Sequence, residues 1–158
     1  LGNIAYDENA QCRVIVRESG ALSALLEAAE ECAEQSKLDL MRQIAFAVLA
    51  LAIGPAGIDV RPALPLLSRL LSFNAEEIVD CACNTLCNIS LDYIDDVLRE
   101  DLNIVSKLMV VLVRSTSTIG ILQGAVRTLS NIASGDERHT QAIIVTLPSL
   151  LWLLDYPD

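Results

Sequence analysis

Apolar residues recur three and four apart along most of this chain, most clearly from Leu122 to Asp136. Leu122, Ala125, Val126, Leu129, Ile132 and Ala133 fall on one stripe of a helix, and that spacing sets the stripe against a core. Gln123, Arg127 and Asn131 follow at four-residue steps, so they stack as a polar stripe on another face of the same helix. The pattern predicts a helix with one side buried and one side able to hold something.

The same pattern returns upstream. Val79, Ala82, Cys83, Leu86 and Ile89 repeat the apolar stripe, with Asn88 in the slot of Asn131. Met41, Ile44, Ala45, Val48 and Leu51 repeat it again, with Ala50 in that slot. Leu1, Ile4 and Ala5 flank Asn3 in the same way. A second signature follows each copy: Leu22-Ser-Ala-Leu-Leu, Leu64-Pro-Leu-Leu, Val105-Ser-Lys-Leu-Met and Leu147-Pro-Ser-Leu-Leu. These anchors lie about 42 residues apart, the period of armadillo or HEAT helical repeats. The prediction is an all-α chain: a right-handed armadillo-repeat superhelix of about three and a half three-helix repeats. Residues 1–158 form one such unit, with repeat segments at approximately 1–7, 8–54, 55–92, 93–135 and 136–158. Neither end reads as a polar cap, which solenoids need, so the sequence is expected to be a piece of a longer protein.

Within that frame, Leu1–Asp7, Leu38–Ile53, the stretch from Asn74 to Ser90 and Ile119–Ser134 are the ladder helices, whose polar stripes line up from repeat to repeat. Gly20–Glu34, Pro62–Ser72, Leu102–Val113 and Leu147–Leu154 are middle helices. Asn9–Arg17, Tyr93–Glu100 and Glu137–Val145 are short first helices, and Gly54–Arg61 leaves room only for a degenerate one. Gly54-Pro55 is a helix stop. Pro62 and Pro65 are tolerable in a first turn, and Asn74 is expected to be an N-cap ahead of Glu76 and Glu77.

Composition narrows the function classes. Hydrophobic residues make up 53% of the chain, yet no run approaches the roughly 20 needed to span a bilayer, so no membrane span is expected. The aromatic fraction of 4% implies a core of Leu, Ile, Val and Ala. Five cysteines without framework spacing favour a reduced setting. The formal net charge of −10 argues against direct nucleic-acid binding and for a basic partner, or for simple solubility. Cys81, Cys83 and Cys87 have no nearby histidine and are read as packed thiols rather than a metal site. His139 is read as structural or exposed, and the single Trp152 as packed in a middle helix. No nucleophile constellation, carboxylate dyad or phosphate loop appears, so no cofactor and no enzymatic activity are expected.

Particular words within the repeats carry a resemblance. Leu1-Gly-Asn-Ile-Ala-Tyr-Asp, Cys12-Arg with Gly20-Ala-Leu, and Leu129-Ser-Asn-Ile-Ala-Ser-Gly-Asp followed by Thr140-Gln-Ala-Ile-Ile resemble importin-α (karyopherin-α), in its central repeats, roughly the third into the seventh. Arg127 fits that register, because the family's sixth repeat carries Arg where most others carry Trp. The resemblance implies a nuclear import adaptor that captures basic nuclear localisation signal peptides of cargo proteins and shuttles between cytoplasm and nucleus. It also implies engagement of importin-β through a basic segment ahead of the repeats, which lies outside this sequence.

In that family a Trp and, four residues on, an Asn on each ladder helix face an extended peptide. The amide bonds the peptide main chain, and the rings flank Lys and Arg stems. Carried over residue by residue, Asn3, Asn88 and Asn131 take amide positions, and Asp7 matches the carboxylate that receives the key lysine. Gln43 takes another polar position. Phe46, Asn84 and Arg127 occupy Trp positions, while Ala50 replaces an Asn. Asp80, Asn84, Asn88 and Asp92 form a four-step polar stripe suited to a basic peptide. Two alternatives follow from what is missing. One is an armadillo scaffold of a non-transport type, binding protein segments without basic-signal specificity. The other is self-association through exposed apolar ends.

Overall fold

The computed structural model describes residues 15, 16, 18–35, 37–53, 59–114 and 116–154, and every regular element among them is helical. Gly20, at φ +71, takes a left-handed turn that costs a residue without a Cβ nothing, and releases the chain into α1 (Ala21–Gln35). Helix α2 (Leu38–Ala52) ends where Ile53 turns extended. A 3₁₀ turn, Arg61–Ala63, runs into α3 (Leu64–Leu70). Pro62 and Pro65 both sit where a missing N–H is harmless, as expected, but the turn they open is 3₁₀ before it is α.

Helix α4 (Glu76–Ile89) follows, then a four-residue α5 (Ile94–Val97) and a 3₁₀ turn Glu100–Leu102. Asn103, at φ +52, kinks the chain into α6 (Ile104–Val113). Helix α7 (Ile119–Ala133) is capped by Thr118, whose hydroxyl accepts from the Ile121 N–H. Helix α8 (Glu137–Ile143) passes through a 3₁₀ turn, Ile144–Thr146, into α9 (Leu147–Leu154).

The ladder helices α2, α4 and α7 lie side by side, and α4–α7 and α2–α4 are the most extensive helix contacts among the described residues. Helices α1, α3 and α6 back α2, α4 and α7 in turn. One continuous core therefore runs the length of the array, as stacked repeats require. Its largest fully buried members include Leu64, Leu67, Leu86, Leu108 and Leu129, each worth about 1.5–3 kcal/mol of burial.

Close approach sets the α4–α7 seam. A Cβ at Gly124 would lie 2.9 Å from Cys83 Cβ, so glycine is what lets the two backbones meet. Buried hydroxyls beside it are satisfied locally. Thr128 donates to the Gly124 carbonyl at 2.9 Å, and Thr85 to the Cys81 carbonyl at 2.7 Å.

Polar ties join one repeat to the next behind the ladder. Ser68 donates to the Leu102 carbonyl at 2.6 Å, Lys107 to the Ser68 carbonyl at 3.0 Å, and Arg114 to the Phe73 carbonyl at 2.7 Å. His139 is buried and ties α8 to α5. Its Nδ1 accepts from the Asp136 N–H at 3.0 Å, which leaves the proton on Nε2, 3.0 Å from Asp95 Oδ1. That hydrogen bond, helped by Arg138, holds the Asp95 carboxyl below its usual range. A Cβ at Gly135 would collide with the imidazole.

Three expectations are corrected. Asn74 is not the N-cap of α4; Ala75 is, with no side-chain cap, so the favourable charges of Glu76 and Glu77 alone attend that terminus. The first helix expected over Tyr93–Glu100 is only Ile94–Val97, because Arg99 turns extended ahead of the Glu100 turn. Val126, placed on the buried stripe by its spacing, is 38% exposed, whereas Cys83, its counterpart one repeat earlier, is covered by α7. Asn3, Asp7, Gly54-Pro55, most of Asn9–Arg17 and the side chain of Trp152 lie outside the described residues.

Candidate peptide-binding ladder

Periodicity places three polar rows across the ladder, one residue from each helix per row. The first row is Arg42, Asp80 and Gln123; the second is Phe46, Asn84 and Arg127; the third is Ala50, Asn88 and Asn131. Phe46 is 37% exposed, Arg127 is exposed, and Asn84, Asn88 and Asn131 are half-buried. Ala50 is fully buried, so the α2 end of the third row offers neither an amide nor surface. Gln43 is exposed on α2, next to the first row rather than in it.

The amides differ in what they hold. Asn131 Nδ2 donates to the Cys87 carbonyl at 2.9 Å and to Ser90 Oγ at 3.0 Å. Both bonds reach the C-terminal turn of α4, where carbonyls lack helical partners. The Asn131 amide is thereby a strut between ladder helices, and its carbonyl Oδ1 is left as the group able to accept from a peptide N–H. Asn84 Nδ2 folds back on its own helix, donating to the Asp80 carbonyl at 3.0 Å and to Asp80 Oδ1 at 3.1 Å. Asn88 makes no side-chain hydrogen bond among the described residues, so both of its amide groups are available.

Charge on the ladder is uneven, with Glu76 and Asp80 on one four-residue step of α4 and Asp92 continuing that step just beyond the helix. Arg42 is occupied, paired with Asp39 and lying 3.5 Å from Glu77 across the α2–α4 seam. Arg61, Arg69, Arg99 and Arg138 pair with carboxylates away from these rows. Arg127 has no ion pair among the described residues, and Asp80 has only the Asn84 amide.

The cysteines at the α4–α7 seam are poor nucleophiles. Burial, aided by the charge of Asp80, pushes the Cys83 thiol up to about 12 and the Cys81 thiol up to about 11. Burial also raises Cys87, opposed by the Arg127 charge. No group of metal-ligating side chains comes together among the described residues. No helix among them is long and apolar enough to cross a membrane.

A separate apolar groove of about 330 Å³ flanks α7, lined by Val126, Leu129, Ala133, Ile143, Leu147 and Leu150 among others. On α7 these residues correspond to the α4 surface that α7 itself covers. The sequence leads one to expect exposed apolar surface at the ends of the array but does not place it on α7, whose stripe reads like that of any other copy.

Comparison with known proteins agrees with this architecture. No family model matches the chain. Importin subunit alpha-1a of Oryza sativa subsp. japonica is 35% identical over 154 residues, covering 93% of this chain and 28% of the relative. Importin subunit alpha-3 of Arabidopsis thaliana is 34% identical over 151 residues, covering 91% of this chain and 27% of that one. The chain thus spans little more than a quarter of the length of these curated relatives.

Among solved structures, a designed armadillo repeat protein in complex with the peptide (KR)4 superposes with a TM-score of 0.78 at 24% identity, over 98% of this chain and 65% of that one. Computationally designed armadillo repeat proteins for modular peptide recognition give 0.83 at 24% identity, over 99% of this chain and 66% of that one. At such identity these likenesses establish the fold. Sequence similarity and architecture together make the chain an importin-α-like armadillo solenoid.

Proposed function

We propose that this chain is a binding protein of the import-adaptor type, which captures an extended peptide across α2, α4 and α7. One observation carries the reading: Asn88 and Asn131 stand at corresponding positions on adjacent ladder helices, Asn88 with its whole side-chain amide and Asn131 with its carbonyl Oδ1 uncommitted among the described residues. An extended strand rises about 3.3 Å per residue and carries alternating main-chain donors and acceptors, so it can bond successive helices in turn. Asp80 supplies attraction for a basic side chain, and Phe46 a ring face for its stem. By the resemblance to importin-α, Asn3 and Asp7 are further binding residues, basic nuclear localisation signals are the cargo, and importin-β is the transport partner. Shuttling between cytoplasm and nucleus follows from that role.

The scaffold alternative draws support from the α2 end, where buried Ala50 removes a main-chain contact. Titration of a fluorescent lysine-bearing peptide into the chain at two salt concentrations separates the readings. The adaptor reading expects salt-sensitive binding that Asn88→Ala weakens. No binding by the folded chain would overturn it and leave the scaffold. The apolar groove beside α7, with Leu147 50% and Leu151 61% exposed, also supports self-association through that face. A concentration-independent monomer in sedimentation would exclude that.

A further inference from the structure

At the α7–α8 junction one imidazole closes a helix cap and a contact between repeats at once. His139 is the third residue of α8, and its side chain is only 11% exposed. Its main-chain N–H donates to Asp136 Oδ1 at 3.0 Å, and its Nδ1 accepts from the Asp136 N–H at 3.0 Å. This is a capping box with an imidazole in the place usually held by Glu or Gln. Gly135 leaves room for the ring: a Cβ there would lie 2.3 Å from Nδ1. On the ring's other edge, Nε2 lies 3.0 Å from Asp95 Oδ1 of α5, one repeat back.

A main-chain N–H can only donate, so Nδ1 carries no proton while this box is closed. A second proton on the ring can go only to Nδ1, where it would meet the Asp136 N–H head on. The nearest other acceptor for it is Asp136 Oδ1, 3.2 Å from Nδ1, which already holds the His139 N–H. Two carboxylates facing the ring, Asp95 from α5 and Asp136 from the turn, attract an imidazolium. Arg138 of α8, 3.4 Å from Nε2 and paired with Asp95, opposes one. Glu137 is exposed in the same turn, and Asp96 of α5 is turned to Arg61. Protonation therefore keeps the ring at Asp95 and takes it from the cap. It also sets a cation at the positive end of a helix.

The first turn of α8 also holds one wall of the apolar groove. Thr140 donates to the Ala133 and Asp136 carbonyls, each at 3.2 Å, and Thr140 and Ile143 line the groove beside α7. We propose that His139 is a proton-sensitive hinge between α7 and α8. Neutral, it caps α8 and keeps the groove wall against α7. Protonated, it gives up the Asp136 N–H, and the first turn of α8 loosens while the ring stays tied to α5.

The test is NMR on the full ¹⁵N-labelled chain, taken from about pH 8 to about pH 5, with His139→Gln beside it. His139 is the only histidine in the chain, so its ring signals identify themselves. Gln closes the same box through its carbonyl oxygen but takes no proton. At the alkaline end, ring ¹⁵N couplings should place the proton on Nε2. As pH falls, the Asp136, Thr140 and Ile143 amides should shift together with the ring. Hydrogen exchange at the Asp136 N–H, corrected for its intrinsic pH dependence, should quicken about fivefold. His139→Gln should show neither change, and circular dichroism checks that both chains stay folded. A ring that takes its second proton while the Asp136 amide neither shifts nor loses protection would overturn the hinge. So would a proton found on Nδ1 at the alkaline end, a ring that takes no second proton while the chain stays folded, or an equal response from His139→Gln.

Discussion

Helices α2 and α4 are packed alike and armed differently. Met41, Ile44, Ala45, Val48 and Leu51 of α2 are buried, as are Val79, Ala82, Cys83, Leu86 and Ile89 of α4 at the corresponding positions. Each helix also lies against a backing helix, α1 or α3. On the polar face the match ends, with Arg42, Phe46 and Ala50 on α2 against Asp80, Asn84 and Asn88 on α4. The repeat's stability resides in the apolar stripe and its capacity to bind in the other, so one can erode while the other persists. A solenoid tolerates this because each repeat answers only to its neighbours.

Breaking the shared half should have the largest effect, equal at both sites. Ile44→Ala in α2 and Leu86→Ala in α4 are each expected to cost about 2–5 kcal/mol by the cavity they leave, read by urea unfolding. A large cost at one and none at the other would mean the two repeats are not packed equivalently.

Next comes the seam between ladder helices. Gly124→Val forces a side chain into the Cys83 backbone and should destabilise by about 1–3 kcal/mol. Thermal melts check this, with Gly20→Ala, where the strain lies in φ rather than in space, as the contrast.

The amides should then split the two halves of the comparison. Asn131→Ala removes a strut to Cys87 and Ser90, so it should lower stability by about 0.5–1.5 kcal/mol as well as peptide affinity. Asn88→Ala should leave stability unchanged and weaken the peptide by a factor of about 2–12. Equal effects of the two on unfolding would remove the distinction drawn between them.

Smaller still is repair of the weaker end. Phe46→Trp offers a better cation–π face and should raise affinity for a basic peptide about two- to fivefold.

Acid sensitivity is the smallest signal. The Asp95 pKa is lowered in the folded chain by His139 and Arg138. Its stabilising contribution is therefore complete above the ordinary carboxylate pKa of about 4, and is lost as pH falls through the lower folded value. Asp95→Asn should lower stability slightly at neutral pH, leave it unchanged at the acid end, and so flatten that part of an acid-unfolding curve.

The sequence carried the helix array and the polar rows because both rest on periodicity, which is local. Three- and four-residue spacing put Leu86 and Leu129 in the core and Asn88 and Asn131 in one row. What periodicity cannot carry is the neighbour. Val126 sits on the stripe and stays partly open, because burial depends on which helix arrives beside it. The two hydrogen bonds from Asn131 to α4 were equally hidden, since Cys87 and Ser90 meet it only through the packing of one repeat on the next. His139 could be read as structural, but its partner Asp95 is a repeat away. Helix ends were less legible for the same reason: Asn74 has the right chemistry for a cap, and the chain turns into helix one residue later.

The central claim is that the uncommitted amides of the ladder grip a peptide main chain. It is tested most directly by following the side-chain NH₂ resonances of Asn88 and Asn131 in a ¹⁵N-labelled chain as a lysine-bearing peptide is titrated. The account predicts a saturable shift of the Asn88 pair, with the Asn131 pair moving less because its donors stay bonded to α4. A bound peptide that leaves both pairs unmoved and shifts only α8 and α9 would contradict it.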